Sequence, residues 1–264
     1  MKFRSLIYIS LLYFLTAASI TTRYRVIDQN CLYPGEKTVY RVHYGFINAG
    51  EAVMQIDTAL HQLNDRSCFK VDISGRTTGF FDLVMHVRDT WGTYIDTAAI
   101  VSHRFYQDIE EGKYKKKEIV DFDHKKGVAY AHRLDGKTGE LKDKVEFPVP
   151  DHIQDLVSGY YYMRTFDWDT MEVDQVFTVT GFYDDTTYNV QIRYLGKERL
   201  KTKVGVFDAL IMSPIMPENQ FFRGRNPVKA WMSDDKYKIP LKVKAELLIG
   251  SVEIDIKGYD RGVQ

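Results

Sequence analysis

The sequence predicts a mostly-β protein, an antiparallel β-barrel or strongly curved sheet with one helix packed against it near residues 151–165. Three observations carry this prediction. Between Ile239 and Leu247 the odd positions Ile239, Leu241, Val243, Ala245 and Leu247 are apolar, while Lys238, Lys242, Lys244 and Glu246 are charged. That period of two marks a strand with one dry and one wet face. Aromatic residues reach 14% of the chain, with 18 Tyr and 15 Phe, which together with many Val, Ile and Thr favours strands. Finally, short apolar runs broken by Gly, Asn and Asp recur at the spacing of an antiparallel meander.

Taken in order, the chain opens with Lys2 and Arg4, an apolar run from Leu6 to Leu15, and the small residues Ala17-Ala18-Ser19. This pattern reads as a signal peptide over residues 1–19, leaving 20–264 as a single exported β-rich domain. The run is well short of the ~20 residues needed to span a bilayer. No later segment is apolar enough to do so, and an integral membrane protein is not expected. Cys31 lies too far beyond the run to serve as a lipid attachment point.

An irregular lead-in over 20–37 turns at Pro34-Gly35. Strands are expected over Thr38–Phe46 and Glu51–Leu60, joined at Asn48-Ala49-Gly50, and then over Cys68–Thr77 after a turn at Asn64-Asp65. Gly79 to Val87 fits either a short helix or a buried strand. Four more strands follow: Asp89–Ile95, Val101–Ile109, Lys113–Phe122 and Val128–Arg133. The Lys113-Tyr114-Lys115-Lys116-Lys117 run reads as a solvated edge strand, where lysine discourages edge-to-edge pairing. Asp135 to Gly139 is a turn.

The helix at 151–165 rests on Ile153, Leu156, Val157, Tyr160 and Met163 at helical spacing, with Asp151 as N-cap and Gln154 as its capping-box partner. Strands resume over Val173–Thr180, Thr187–Tyr194, Glu198–Val204 and Phe207–Met212, and a long loop runs from Pro214 to Pro227. Past Leu247 the apolar phase flips to Val252, Ile254 and Ile256. One strand from Ile239 to Ile256 would span roughly 60 Å, so a sharp bend is expected at Leu248-Ile249-Gly250-Ser251.

Two half-units, 38–145 and 170–260, echo each other in order. Val39 to Phe46 resembles Val176 to Phe182, and Gln55-Ile56 matches Gln191-Ile192. Gly79-Phe80-Phe81-Asp82 matches Gly205-Val206-Phe207-Asp208, and Trp91 matches Trp231.

Charge excludes some functions. The chain carries 36 basic and 36 acidic residues, and without Lys2 and Arg4 it is slightly acidic, so nucleic acid is not an expected partner. Catalytic signatures are missing: there is no Gly-x-Ser-x-Gly elbow, phosphate-cradling glycine loop or His-Glu-x-x-His helix. The seven His are scattered, and Asp121-x-Asp123-His124 lacks the remaining ligands of a metal loop. Asp234-Asp235 at a strand end suits turn capping better than acid–base chemistry. A non-enzymatic protein without metal or cofactor is expected. Tyr160 and Tyr161, in a run with Tyr162, are candidate ligand contacts, as are Trp231 and Arg88; Arg88 flanks the apolar segment together with Arg76 and Asp89. Cys31 and Cys68 form a candidate disulfide in an oxidising compartment, with two buried thiols as the alternative.

Several short motifs, taken together and in order, resemble a known family. They are Tyr44-Gly45-x-Ile47-x-Ala49-Gly50-Glu51-Ala52, Val87-Arg88-Asp89, Tyr94-Ile95-Asp96, Glu111-Gly112-Lys113-Tyr114, Gln154-Asp155-Leu156-Val157-Ser158 with Tyr162-x-Arg164, and Trp231-x-Ser233-Asp234-Asp235 with Ile239-Pro240. This series is similar to a bacterial family of exported proteins of unknown function, number three-one-zero-eight. The resemblance covers most of the mature chain. It implies an exported β-rich envelope protein, in the periplasm or cell envelope, and brings no catalytic residues. The final strands are also similar, more weakly, to the curved sheets of lipoprotein carriers. The expected role is binding of a lipid or other apolar or amphipathic ligand, or of an envelope protein. The alternatives are a structural or assembly protein with a filled interior, and a hydrolase whose site is not recognisable.

Overall fold

The computed structural model describes residues 24–216 and 224–262, so the expected signal peptide lies outside the described residues. Eight strands come first: β1 (Lys37–Tyr44), β2 (Ile47–Leu63), β3 (Arg66–Thr77), β4 (Arg88–Asp96), β5 (Ser102–Glu111), β6 (Tyr114–Asp123), β7 (Val128–Leu134) and β8 (Leu141–Pro148). A short helix, α1 (Phe80–Val84), interrupts the β3–β4 connection. The helix α2 (Ser158–Arg164) and a single 3-10 turn (Trp168–Thr170) then lead to six further strands. These are β9 (Val176–Tyr183), β10 (Thr186–Thr202), β11 (Gly205–Pro214), β12 (Val228–Ser233), β13 (Pro240–Glu246) and β14 (Ser251–Asp260).

All fourteen strands form one antiparallel sheet in the order β8-β7-β6-β5-β4-β3-β2-β1-β14-β13-β12-β11-β10-β9. Two meanders therefore run outward from a central seam, where β1 pairs with β14 (Tyr40 opposite Ile256). Bulges at Val42/His43, Tyr94/Ile95 and Trp231/Met232 bend the sheet. It curls far enough for the β9–β10 hairpin to reach back onto β5–β8: the Phe182 ring packs on Phe122 and Phe147, Lys116 bonds Asp184 at 2.8 Å, and Arg133 pairs with Asp185. The outer strands are blunted. β8 carries Lys142, Asp143 and Lys144 and ends at Pro148, while the edge of β9 is met by a parallel bridge from Gln154 to Gly181. The core inside the curl is filled by Ile56, Val71, Ile95, Phe105, Phe122 and Tyr161, among others.

The predicted curved antiparallel sheet with a helix packed on it is the observed architecture, with local differences that have physical causes. The β1–β2 turn falls at Gly45-Phe46, with Gly45 at φ 55°, not at Asn48-Ala49-Gly50. Gly50 lies within β2, where a Cβ would sit 2.5 Å from the Arg76 carbonyl oxygen, so it permits close strand approach and does not form a turn. The strand Leu141–Pro148 was not expected, because its outer position leaves a charged, weakly alternating sequence. β10 runs unbroken through Gly196, so the strands expected over Thr187–Tyr194 and Glu198–Val204 are one, with a bulge between Tyr194 and Gly196. The lysine-rich β6 is an interior strand; Lys115, Lys116 and Lys117 pair with Glu110, Asp184 and Asp108.

The helix expected over 151–165 is shorter, because residues 151–157 form turns. Asp155, not Asp151, organises its start. The Asp155 carboxylate accepts from the Val157 and Ser158 amides at 2.7 Å, and its own amide donates to Ser158 Oγ at 2.8 Å. The predicted bend after Leu247 and the flipped phase of β14 are present. Of the echoed fragments, those on β1/β9, β2/β10 and β4/β12 share only their place in chain order, since β1 lies at the seam and β9 at the outer end of the sheet. The Gly-x-Phe-Asp pair does not share even that, since Gly79 follows β3 and Gly205 opens β11.

Candidate functional site

A groove of about 290 Å³ lies between α2 and the β9–β10 hairpin. One wall comes from the helix and the turn before it, through Leu156, Gly159, Tyr160 and Met163. The floor comes from the sheet, where Val179 opposes Val190 and Gly181 opposes Tyr188 on adjacent strands. Strand alternation puts Val179, Gly181 and Tyr183 on one face of β9, and a Cβ on Gly181 would meet the Gln154 carbonyl oxygen at 3.6 Å. Gly159 faces the same floor, where a Cβ on it would meet Val179 at 3.6 Å. Leu156, Tyr188 and Val190 are exposed at the groove mouth.

The groove is apolar but anchored by satisfied polar groups. Asp155 is buried in the wall, and Thr93 Oγ1 donates to it at 2.5 Å. Burial pushes its carboxyl above the usual range against these hydrogen bonds. Tyr160 Oη donates to the Lys238 carbonyl at 3.1 Å, which fixes its ring along the helix. Behind the wall, Arg164 donates to both Glu36 carboxylate oxygens at 2.7 Å and to the carbonyls of Cys31 and Tyr237. Both side chains are almost fully buried. This pair staples the lead-in, α2 and the β12–β13 turn together, holding the helix at a fixed height over the floor.

The predicted contact residues are not brought together. Tyr160 lines the groove, but Tyr161 points into the core. Trp231 is buried on β12, where its Nε1 donates to Glu198 at 2.5 Å. Arg88 pairs with Asp82 beside α1, and Asp89 accepts from the Glu110 amide. Cys31 and Cys68 are separate free thiols, both buried, pushed up to about 11 and about 12 by burial. Asp123 caps its own turn by accepting from the Lys125 and Lys126 amides. Asp235 does the same for Tyr237 and Lys238. The cluster His43, Glu253 and Asp255 is close enough to share an ion, but Lys242 already bonds Glu253 at 2.5 Å and approaches Asp255 at 3.4 Å. It is a cross-strand ion network. The residues missed from sequence, Val179, Gly181, Tyr188 and Val190, look like ordinary strand residues and gain meaning only when α2 crosses them.

The family model for "Protein of unknown function (DUF3108)" matches residues 39–257. The chain belongs to this family. The match spans both meanders, the seam and α2, so the groove is built entirely from the family's own segment. Among solved structures, a β-barrel-like protein of the DUF1849 family from Brucella abortus superposes with a TM-score of 0.54 at 8% identity, covering 90% of this chain and 99% of that one. This likeness shows the barrel-like fold. A candidate lipoprotein from Parabacteroides distasonis (TM-score 0.34, 9% identity, 90% and 100% coverage) aligns more loosely. So does an exported protein with a YmcC-like fold from Bacteroides fragilis (TM-score 0.30, 11% identity, 89% and 99% coverage). No curated protein matches the chain. No described helix is long and apolar enough to cross a membrane.

Proposed function

We propose that this member of the family is an exported, non-enzymatic binding protein of the cell envelope that holds the hydrocarbon part of an amphipathic ligand in the groove beside α2. The observation that carries this reading is the groove itself, a cavity of about 290 Å³ with an apolar floor and a mouth at the surface. Its size stands at the lower end of the ~300–1,000 Å³ range of small-molecule sites, which suits one hydrocarbon chain. Among the described residues, three clusters of buried side chains pack inside the curl, and in this reading the ligand sits beside them.

Leu156 and Val190 are both partly exposed, so charges placed there leave the core intact while making the groove costly for a chain to enter. Leu156→Glu combined with Val190→Glu is expected to weaken laurate binding about tenfold or more. The expected native mass spectrum of protein purified from its own envelope shows a co-purifying amphiphile with the unaltered chain and none with the double variant. A ligand-free spectrum together with no laurate binding by the unaltered protein would sink the reading.

A further inference from the structure

A second surface, separate from the groove, is also apolar. Three neighbouring connections emerge from the same end of the central strands: the β1–β2 turn, the β13–β14 turn and the α1 segment between β3 and β4. They are tied to one another, since the Gly45 amide donates to the Ser251 carbonyl at 3.2 Å, Tyr44 Oη to the Ile249 carbonyl at 2.7 Å, and the Thr78 amide to the Ala49 carbonyl at 3.0 Å. Their tips carry Phe46, Phe80, Leu83, Val84, Leu248 and Ile249, all exposed; Phe46 is fully so, and Leu83 and Ile249 are 86% and 80% exposed. The other end of the same strands carries polar turns at Asn64-Asp65 and Asp234-Asp235-Lys236.

Helix α1 is reversed with respect to water. A surface helix normally buries its apolar side and offers its charges to solvent. Here no residue of the helix is buried, and its one charged side chain, Asp82, is turned back to accept from Thr77 Oγ1 at 2.7 Å and Arg88 at 2.8 Å. Phe80, Leu83 and Val84 are left facing outward. The charges just behind the tips bond one another: Arg76 and Lys257 share the Glu51 carboxylate, Lys244 bonds Glu246, and Arg88 bonds Asp82. Paired charges cost less to bring near a low-dielectric medium than bare ones.

We infer that this end of the sheet docks on a lipid bilayer, with the three tips inserted shallowly at the interface. The tips come from three separate connections of the sheet. A deformable interface can accommodate each of them independently, whereas a protein partner would need a matching pit for every tip. Because most of the charge behind the tips is held in internal ion pairs, the attraction is chiefly apolar and does not require anionic lipid.

The test is flotation with phosphatidylcholine vesicles at low and high salt. The unaltered protein is expected to float in both, and Leu83→Glu combined with Ile249→Glu to reduce the bound fraction about tenfold or more. Both positions are exposed, so the variant should keep its far-ultraviolet circular dichroism and melting midpoint. The groove variant Leu156→Glu with Val190→Glu should float like the unaltered protein, which separates this inference from the ligand reading. Failure of the unaltered protein to float, or equal flotation of the tip variant, overturns the inference. So does flotation that disappears in high salt, which marks electrostatic adsorption. A dimer in sedimentation that the tip variant dissociates also overturns it, because the patch would then be a subunit interface.

Discussion

Arg164 carries a positive charge where water does not reach, and the structure answers it with a carboxylate and two carbonyls from segments far apart in sequence. Burial opposes that charge, but the Glu36 carboxylate bonded to it outweighs the burial, so the guanidinium stays charged. Removing one partner strands the other. Glu36→Ala is expected to cost about 3–5 kcal/mol in urea unfolding, whereas Glu36→Leu with Arg164→Met should recover most of it. His124 gives a pH signature. Burial first, and then the neighbouring His103 and His152, push it down to about 4, while its Nε2 lies 2.7 Å from the Ser102 carbonyl. The unfolded chain binds this proton near pH 6.5 and the folded chain only near pH 4. The stability it confers is complete above about pH 6.5 and falls by about 3 kcal/mol as the pH drops toward 4. Unfolding midpoints of His124→Asn across that window should show a shallower slope than those of the unaltered protein. Neither role was legible in the sequence: His124 appeared only in an incomplete metal fragment, Arg164 only within the Tyr162-x-Arg164 motif, and the partner of Arg164 lies 128 positions away.

At the level of elements, the strands were legible wherever one face is buried and the other wet. In β13 the side that carries the buried Leu241 could be read directly from the alternation, whereas its register against β12 and β14 could not. β8 was illegible because an outer strand with both sides near water has no reason to alternate. Helix α2 was recognisable by its spacing, but it starts at Ser158, about two turns later than expected, because the Gln154 backbone bridges to β9 and Asp155, not Asp151, binds the first free amides. Gly159 offers a test at this scale. A methyl group there would make an ordinary contact with Val179, and alanine is the better helix former by up to ~1 kcal/mol. Gly159→Ala should therefore raise the melting midpoint modestly while narrowing the groove, and laurate should bind more weakly. A fall in stability would show that α2 sits closer to β9 than described.

For the whole molecule, the sheet and its curvature followed from composition and periodicity, but the groove did not. Its floor lies on β9 and β10 and its wall on α2, and no local pattern states that one will cross the other. The seam described above also orders events in time. Within each meander, every strand pairs with a neighbour a short loop away, whereas β1 meets β14 across more than two hundred residues, with Lys37 opposite Asp260. Contacts between near neighbours close small loops and form early, while those between distant segments wait on a large loss of chain entropy. The two meanders can therefore assemble as each is released, one after the other. The zipper joining them remains open until the final strand arrives, and for that interval β1 and the strands beside the gap offer an unpaired edge to whatever else is nearby.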